Sequence, residues 1–484
     1  MSELAFKSAT ELARMIRSRD VGCTELLDYF IGRMNTYNPS VNAIIVQDLD
    51  AAHARATAAD QALARGEEVG PLFGVPMTIK ESFNLAGTPT TWGFPNFKDN
   101  IASSNAVAVD RLLRAGANIF GKTNVPPGLM DGQSNNEIYG RTNNPWDLSR
   151  TPGGSSGGSA AALASGMTGL EFGSDIASSI RNPAHYCGVF GHKSTWGICP
   201  QRGHMLVDTL QPTDIGVVGP LARSVPDLEL ALSAVVGPDG ADAKGYASAL
   251  PPAQKTSLKD FRVALVCDDS FAEVDRTVSD QLTKLGDFLE KEGARVSRND
   301  RPKFDSEELY ILFMILLRAA SAGSVLDKEF SENLKAAKGA SRATRDVAKA
   351  NAYGVTLSHR DWLRLDEERQ GYRVRWIEFF ERFDVLLCPV LSTPAFSHKA
   401  GSPQGRMLAV NGHEVPFEKQ LFWAGYGGLF YLPATVAPIG LSPEGLPIGV
   451  QIIASQYDDH TSLRFAALLE ERYRAFVPPP GYGD

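Results

Sequence analysis

The sequence predicts an α/β protein whose largely parallel or mixed sheet is covered by helices. Three observations predict it. Strand-like and helix-like segments alternate through the first 125 residues, and strand-like runs return after residue 260. The 484-residue chain, 43% hydrophobic and 21% charged, can bury a large core, either in one large α/β domain or in two or three average ones.

The elements follow in order. "SATELARMI" opens a helix, with Ser8 as cap and Glu11 three residues on. Leu26, Leu27, Phe30, Ile31 and Met34 form the apolar stripe of a second helix. "VNAIIV" reads as a strand and 50–65 as an Ala-rich helix. "GVPMTIKES" follows a Gly-Pro turn and reads as a short buried strand. "AVAVDRLLRAG" is a helix ending at Gly116, ahead of the strand "NIFGKTN". Residues 237–256, rich in Gly, Pro and Ala, form a surface connection, and "RVALVC" resumes the strands. Residues 305–380 read as a helical subregion. Its apolar run Leu309–Leu317, nine residues, is too short to cross a bilayer; it reads as a buried helix, with a pocket wall as the alternative. "DVLLCPV" and "LPIGVQIIA" are strand-like, and the polar segment 397–419 is expected to be a mobile or functional loop.

Charge and cysteine usage bound the function. A net charge of −8 leaves no Lys/Arg excess to replace phosphate counterions, so nucleic acid is not the expected partner. Five scattered cysteines, an odd number, read as reduced thiols of a cytosolic protein. The first residues lack a basic start followed by an apolar run, so no signal peptide and no membrane association are expected. His185, Cys187 and His192 lie close together, but their spacing fits no common zinc pattern, and Cys199 reads as core. Neither a metal nor a cofactor is expected.

The chemistry concentrates in "TPGGSSGGSAAALASG", 151–166, where glycines cost entropy on ordering and need a local reason. A flexible linker, a phosphate cradle at a helix N-terminus and a G-x-S-x-G nucleophile elbow at Ser156 all fit this stretch locally. The stretch and its downstream neighbour "LEFGSDIASSIRNPAHYCGVFGHKST" together resemble the amidase signature family. That family is marked by G-G-S-S-G-G-S, then D-x-G-G-S-I-R-x-P, then C-G-x-x-G-x-K-P-[ST]. Here these are Gly153–Ser159, Asp175–Pro183 and Cys187–Ser194. "GVPMTIKESFNLAG", "GKTNVP", "YGRTNNPWD", "GPLARSVPDLELAL" and "LPATVAPIGLSPEGLPIGVQIIA" match further family elements, so the resemblance spans roughly 8–235 and 375–475.

The resemblance implies one α/β/α domain over 1–484 around a large central mixed sheet. It also implies a Ser–cis-Ser–Lys triad: Ser179 as nucleophile, Ser155 as the bridging serine with a cis peptide, and Lys80 as base. Lysine accepts a proton only when neutral, so Lys80 must titrate roughly 2–3 pH units below its usual 10.4, which costs about 3–4 kcal/mol and which a dry site can supply. "PMTIK" supports burial, although a salt bridge with Glu81 is the plainer reading of a lone lysine. The oxyanion donors implied are the backbone N–H groups of Ile176, Ala177, Ser178 and Ser179. The chain departs from the family here, because Ala177-Ser178 replaces Gly-Gly. Ser156, Asp175 and Arg181 are expected to form polar support that fixes this turn.

"GLMDGQSNNEIYG" lies where relatives contribute pocket residues, which makes Met130, Gly132 and Gln133 candidates. Gly132 stands where a bulkier residue is expected. With Phe422 and Trp423 near the C-terminal motif, it suggests a roomier cleft for a large or aromatic group. The implied activity is hydrolysis of carboxylic amides, with aryl amides, esters and carbamates within reach, on a small-molecule substrate. A homodimer is compatible with the sequence. Two other readings stay open: the glutaminase-type component of a tRNA-dependent amidotransferase, and a non-catalytic binding protein on the same fold.

Overall fold

A computed structural model describes residues 4–205 and 209–483. Its strands longer than two residues are β1 (Ile44–Gln47), β2 (Pro76–Lys80), β3 (Asn118–Thr123), β4 (Glu171–Asp175), β5 (Phe190–Lys193), β6 (Val217–Ala222), β7 (Arg262–Leu265), β8 (Arg295–Ser297), β9 (Val385–Pro389), β10 (Met407–Val410), β11 (His413–Pro416), β12 (Ala434–Leu441) and β13 (Pro447–Ile453). Eight of them form the central sheet in the order β8-β7-β9-β13-β12-β5-β6-β4. β7 runs parallel to both β8 and β9, and the remaining pairs are antiparallel, so the sheet is mixed. Helices flank it, as the α/β/α reading expects. β1-β3-β2 form a smaller sheet, with β2 parallel to β3.

Local chemistry explains the elements that the sequence announced. Ser8 and Glu11 close a reciprocal capping box on the helix Ala9–Arg17. β2 carries an apolar run buried at every position, and it places Lys80 inside the protein. Residues 305–380 supply the helices Ser306–Ser321, Asp327–Ala336, Val347–Val355 and His359–Arg382. Leu309–Leu317 is buried throughout its length on the first of these.

The segment 397–419 is not an open loop. It carries the antiparallel hairpin β10–β11 and is tied to the body by the His398 N–H donating to the Ser149 carbonyl and by the Gln133 side chain bonding to the Lys399 backbone. Among the described residues no helix is long and apolar enough to cross a membrane.

Candidate active site

Three segments converge: the end of β2, the loop entering the helix Gly157–Ala164, and the turn between β4 and the helix Arg181–Cys187. β2 and β4 pack side by side, which brings Lys80 to Ser174 and Asp175. The Gly154–Ser155 peptide is cis, as the family resemblance implies. Gly153 has φ +92°, a left-handed conformation that suits glycine. A Cβ on Gly154 would stand 2.9 Å from Gln133 N and 3.0 Å from the Gly132 carbonyl carbon. The glycines are needed because the loop is pressed between the 131–133 wall and the helix that follows Ser179.

Lys80 is fully buried, and its Nζ lies 2.6 Å from Ser155 Oγ, 2.9 Å from Ser174 Oγ and 3.4 Å from the Ser174 carbonyl. Burial pushes its pKa down to about 7, against the opposing pull of Asp175 and Glu171. The salt bridge to Glu81 does not form. Glu81 instead accepts the N–H groups of Thr91 and Trp92. Ser174 went unnoticed in the sequence; its position just before the motif aspartate is the signal that could have found it. A neutral amine has two N–H donors and one lone pair. The two Ser174 oxygens can take the donors, which leaves the lone pair for the Ser155 hydroxyl.

The second half of the implied triad is close but not joined. Ser179 and Ser155 share no side-chain hydrogen bond among the described residues; their segments are linked by Ser156 N–H donating to the Ser179 carbonyl at 3.1 Å. The Ser156 hydroxyl donates to the Ser174 carbonyl at 3.3 Å.

The turn itself is held by Asp175. Its carboxylate accepts the N–H groups of Ser178 at 2.8 Å, Ile180 at 3.1 Å and Arg181 at 3.2 Å, together with the Arg181 guanidinium. Burial pushes this carboxyl up, but Arg181 and the backbone donors overcome that and hold it well below the usual carboxylate range. One expectation needs correction here. The Ser178 N–H is spent on Asp175 and is not free for an oxyanion, whereas those of Ile176, Ala177 and Ser179 have no protein acceptor among the described residues. Ser178 has φ +82°, and its buried hydroxyl has no partner among the described residues.

The amidase family matches residues 25–463. The chain belongs to the amidase family. It is an enzyme, and its chemistry is the hydrolysis of amides. Indoleacetamide hydrolase of Bradyrhizobium diazoefficiens is 33% identical, over 96% of this chain and 86% of that protein. A glutamyl-tRNA(Gln) amidotransferase subunit from Acidothermus cellulolyticus is 32% identical, over 98% and 96%. A solved structure described as part of a vestigial complex, bearing on the origins of an s-triazine catabolic enzyme, superposes with a TM-score of 0.82. It is 27% identical and covers 97% of this chain and all of the other.

In this amidase the expected pocket residues take different places. Phe422 and Trp423 are fully buried on the helix Leu421–Gly428, where they pack edge to face, and Trp423 Nε1 donates to the Ala272 carbonyl. They are core rather than cleft wall, because apolar neighbours surround them on the helix. Met130 is 58% exposed. Gln133 is spent on the backbone of Lys399: its Nε2 donates to that carbonyl and its Oε1 accepts that N–H, both at 2.9 Å. Gly132 opens no space, because the Phe417 ring fills it. His185 and His192 are engaged structurally, the first with Gly449 N–H and the Thr393 carbonyl, the second with Thr435 and Asp459. Burial pushes the Cys199 thiol up to about 12, consistent with its place in the core.

Proposed function

We propose that this amidase cleaves carboxylic amides, including aryl amides, through an acyl-enzyme on Ser179. The observation that carries the reading is the 2.6 Å contact between a buried Lys80 amine and the Ser155 hydroxyl. Ser155 gives its proton to neutral Lys80 and takes one from Ser179 as the Ser179 oxygen attacks the carbonyl carbon. The tight Ser179–Ser155 contact belongs to the substrate complex, where catalytic hydrogen bonds of this kind shorten. The N–H groups of Ile176, Ala177 and Ser179 stabilise the developing oxyanion. The proton returns through Ser155 to the leaving amine, and water, deprotonated by the same relay, releases the acid.

Nothing in this series of steps requires an amide rather than an ester or a carbamate, so urethane cleavage belongs to the same proposal. The similarity to indoleacetamide hydrolase supports an enzyme acting on a small amide. The nearly equal similarity to the amidotransferase component carries a second reading, a glutaminase that works with partner proteins. Two measurements test the proposal. Phenylmethylsulfonyl fluoride should form one adduct, mapped to Ser179 by mass spectrometry, and Ser179→Ala should abolish turnover of chromogenic anilides; labelling at another serine overturns the assignment. Ammonia release from glutamine, with no turnover of anilides, would favour the second reading.

A further inference from the structure

The 131–133 segment and the hairpin segment interlock. A Cβ on Gly132 would lie 2.7 Å from Phe417 Cζ, closer than such atoms approach, 3.2 Å from its Cε2 and 3.4 Å from Asn182 Nδ2. The Phe417 ring, only 4% exposed, therefore stands in the volume that a side chain at 132 would need, a volume that Asn182 Nδ2 also borders. The ring is held from several sides. The Arg406 guanidinium lies 5.1 Å over its centroid, and Phe396 meets it edge-on at 5.8 Å. Arg406 in turn pairs with Asp131 through both nitrogens, at 2.5 and 2.8 Å, and Gln133 grips the Lys399 backbone. On its far side the 131–133 wall presses on Gly154, and the Asn182 N–H donates to the Ser178 carbonyl at 2.6 Å.

We propose that Phe417 is a specificity-determining residue: its ring tip sets the width of the substrate cleft beside Asn182, three residues from Ser179. The wall of the cleft is thus supplied by the hairpin segment and not by residue 132, whose missing side chain makes room for it. The face it offers is apolar, so it bounds an apolar substituent of the amide and limits its size. This rests on Ser179 as the nucleophile.

The test measures kcat/KM for a bulky over a small substrate, in one anilide series graded on the acyl side and one amide series graded on the amine side. Phe417→Ala should raise that ratio at least about tenfold in one of the two series, the scale on which a hydrophobic pocket discriminates a few carbons. Adding Gly132→Phe to Phe417→Ala refills the space from the other strand of the interlock and should bring the ratio back towards wild type. If Phe417→Ala does not fold, Phe417→Leu gives the milder rise and Gly132→Ala, which pushes the ring towards the cleft, gives a fall. Ratios unchanged in both series, with melting temperature alone reduced, overturn the proposal and leave Phe417 a packing residue. Turnover persisting in Ser179→Ala while the ratio still moves with Phe417 would refute the nucleophile and not the wall.

Discussion

Among the described residues three lysines lie wholly inside, and burial pushes Lys80 down to about 7, Lys193 to about 7 and Lys122 to about 8. Lys193 donates to the Ser194 and Leu432 carbonyls, and Lys122 to the Pro89 carbonyl and the Thr90 hydroxyl. Among the described residues only Lys80 reaches serine hydroxyls. Burial makes a neutral amine, and its neighbours decide whether that amine becomes a base. Because the proposed relay needs the neutral form, kcat/KM should climb as pH rises through about 7 and level off above it. A profile flat from pH 5 to 9 would contradict a lysine base. Ser178 offers a second check. A side chain at φ +82° costs roughly 1–2 kcal/mol, and its buried hydroxyl is unpaired among the described residues, so Ser178→Gly should raise unfolding stability by about 1 kcal/mol in urea titrations. By contrast, Phe422→Ala should cost about 3–5 kcal/mol and leave the ratio for bulky over small substrates unchanged, as a core residue would.

At the scale of elements, the capped first helix, the run 309–317 and strands β2, β3, β7, β9 and β13 were legible because each has a local cause: a cap, an apolar run or a turn residue. Strands β4, β5, β6 and β12 were hidden. "EFGSD" and "FGHK" are buried on both faces, so they lack alternation, and their Gly and polar residues look like loop. The segment 397–419 misled in the opposite direction. It is polar, but Arg406 is buried against Asp131, 275 residues away in sequence, and such a partner is invisible locally. Arg406→Met would leave the Asp131 carboxylate without its partner, a loss of about 3 kcal/mol for a pair this buried. Hydrogen exchange should then quicken at 407–416 while the amides of the central sheet keep their protection; equal rates in both proteins would show that the pair does not anchor the hairpin.

For the whole molecule, buried titratable groups set how stability varies with pH. Unfolded lysines titrate near 10.4, so between about pH 7 and 8.5 the unfolded chain holds more protons than the folded one, and stability rises with pH. Above about 8.5 the cysteines cancel the gain. Burial pushes Cys23, Cys199 and Cys388 up to about 12, so the folded chain keeps protons that free thiols lose. Tm should therefore increase from pH 7 to about 8.5, and less so in Lys193→Met; a steady fall across that interval would contradict the balance. The sequence by itself determined the α/β class and the family, and it singled out Lys80, Ser155, Ser179, Asp175 and Arg181 as candidates, because ordered motifs with fixed spacing record chemistry that tolerates few residue types. The tertiary structure alone decided that Ser174 completes the lysine's shell, that Asp175 takes the Ser178 N–H, and that Phe417 rather than an open cleft faces Gly132. Those contacts join segments far apart in the chain, and their partners are chosen by packing, which no local pattern encodes.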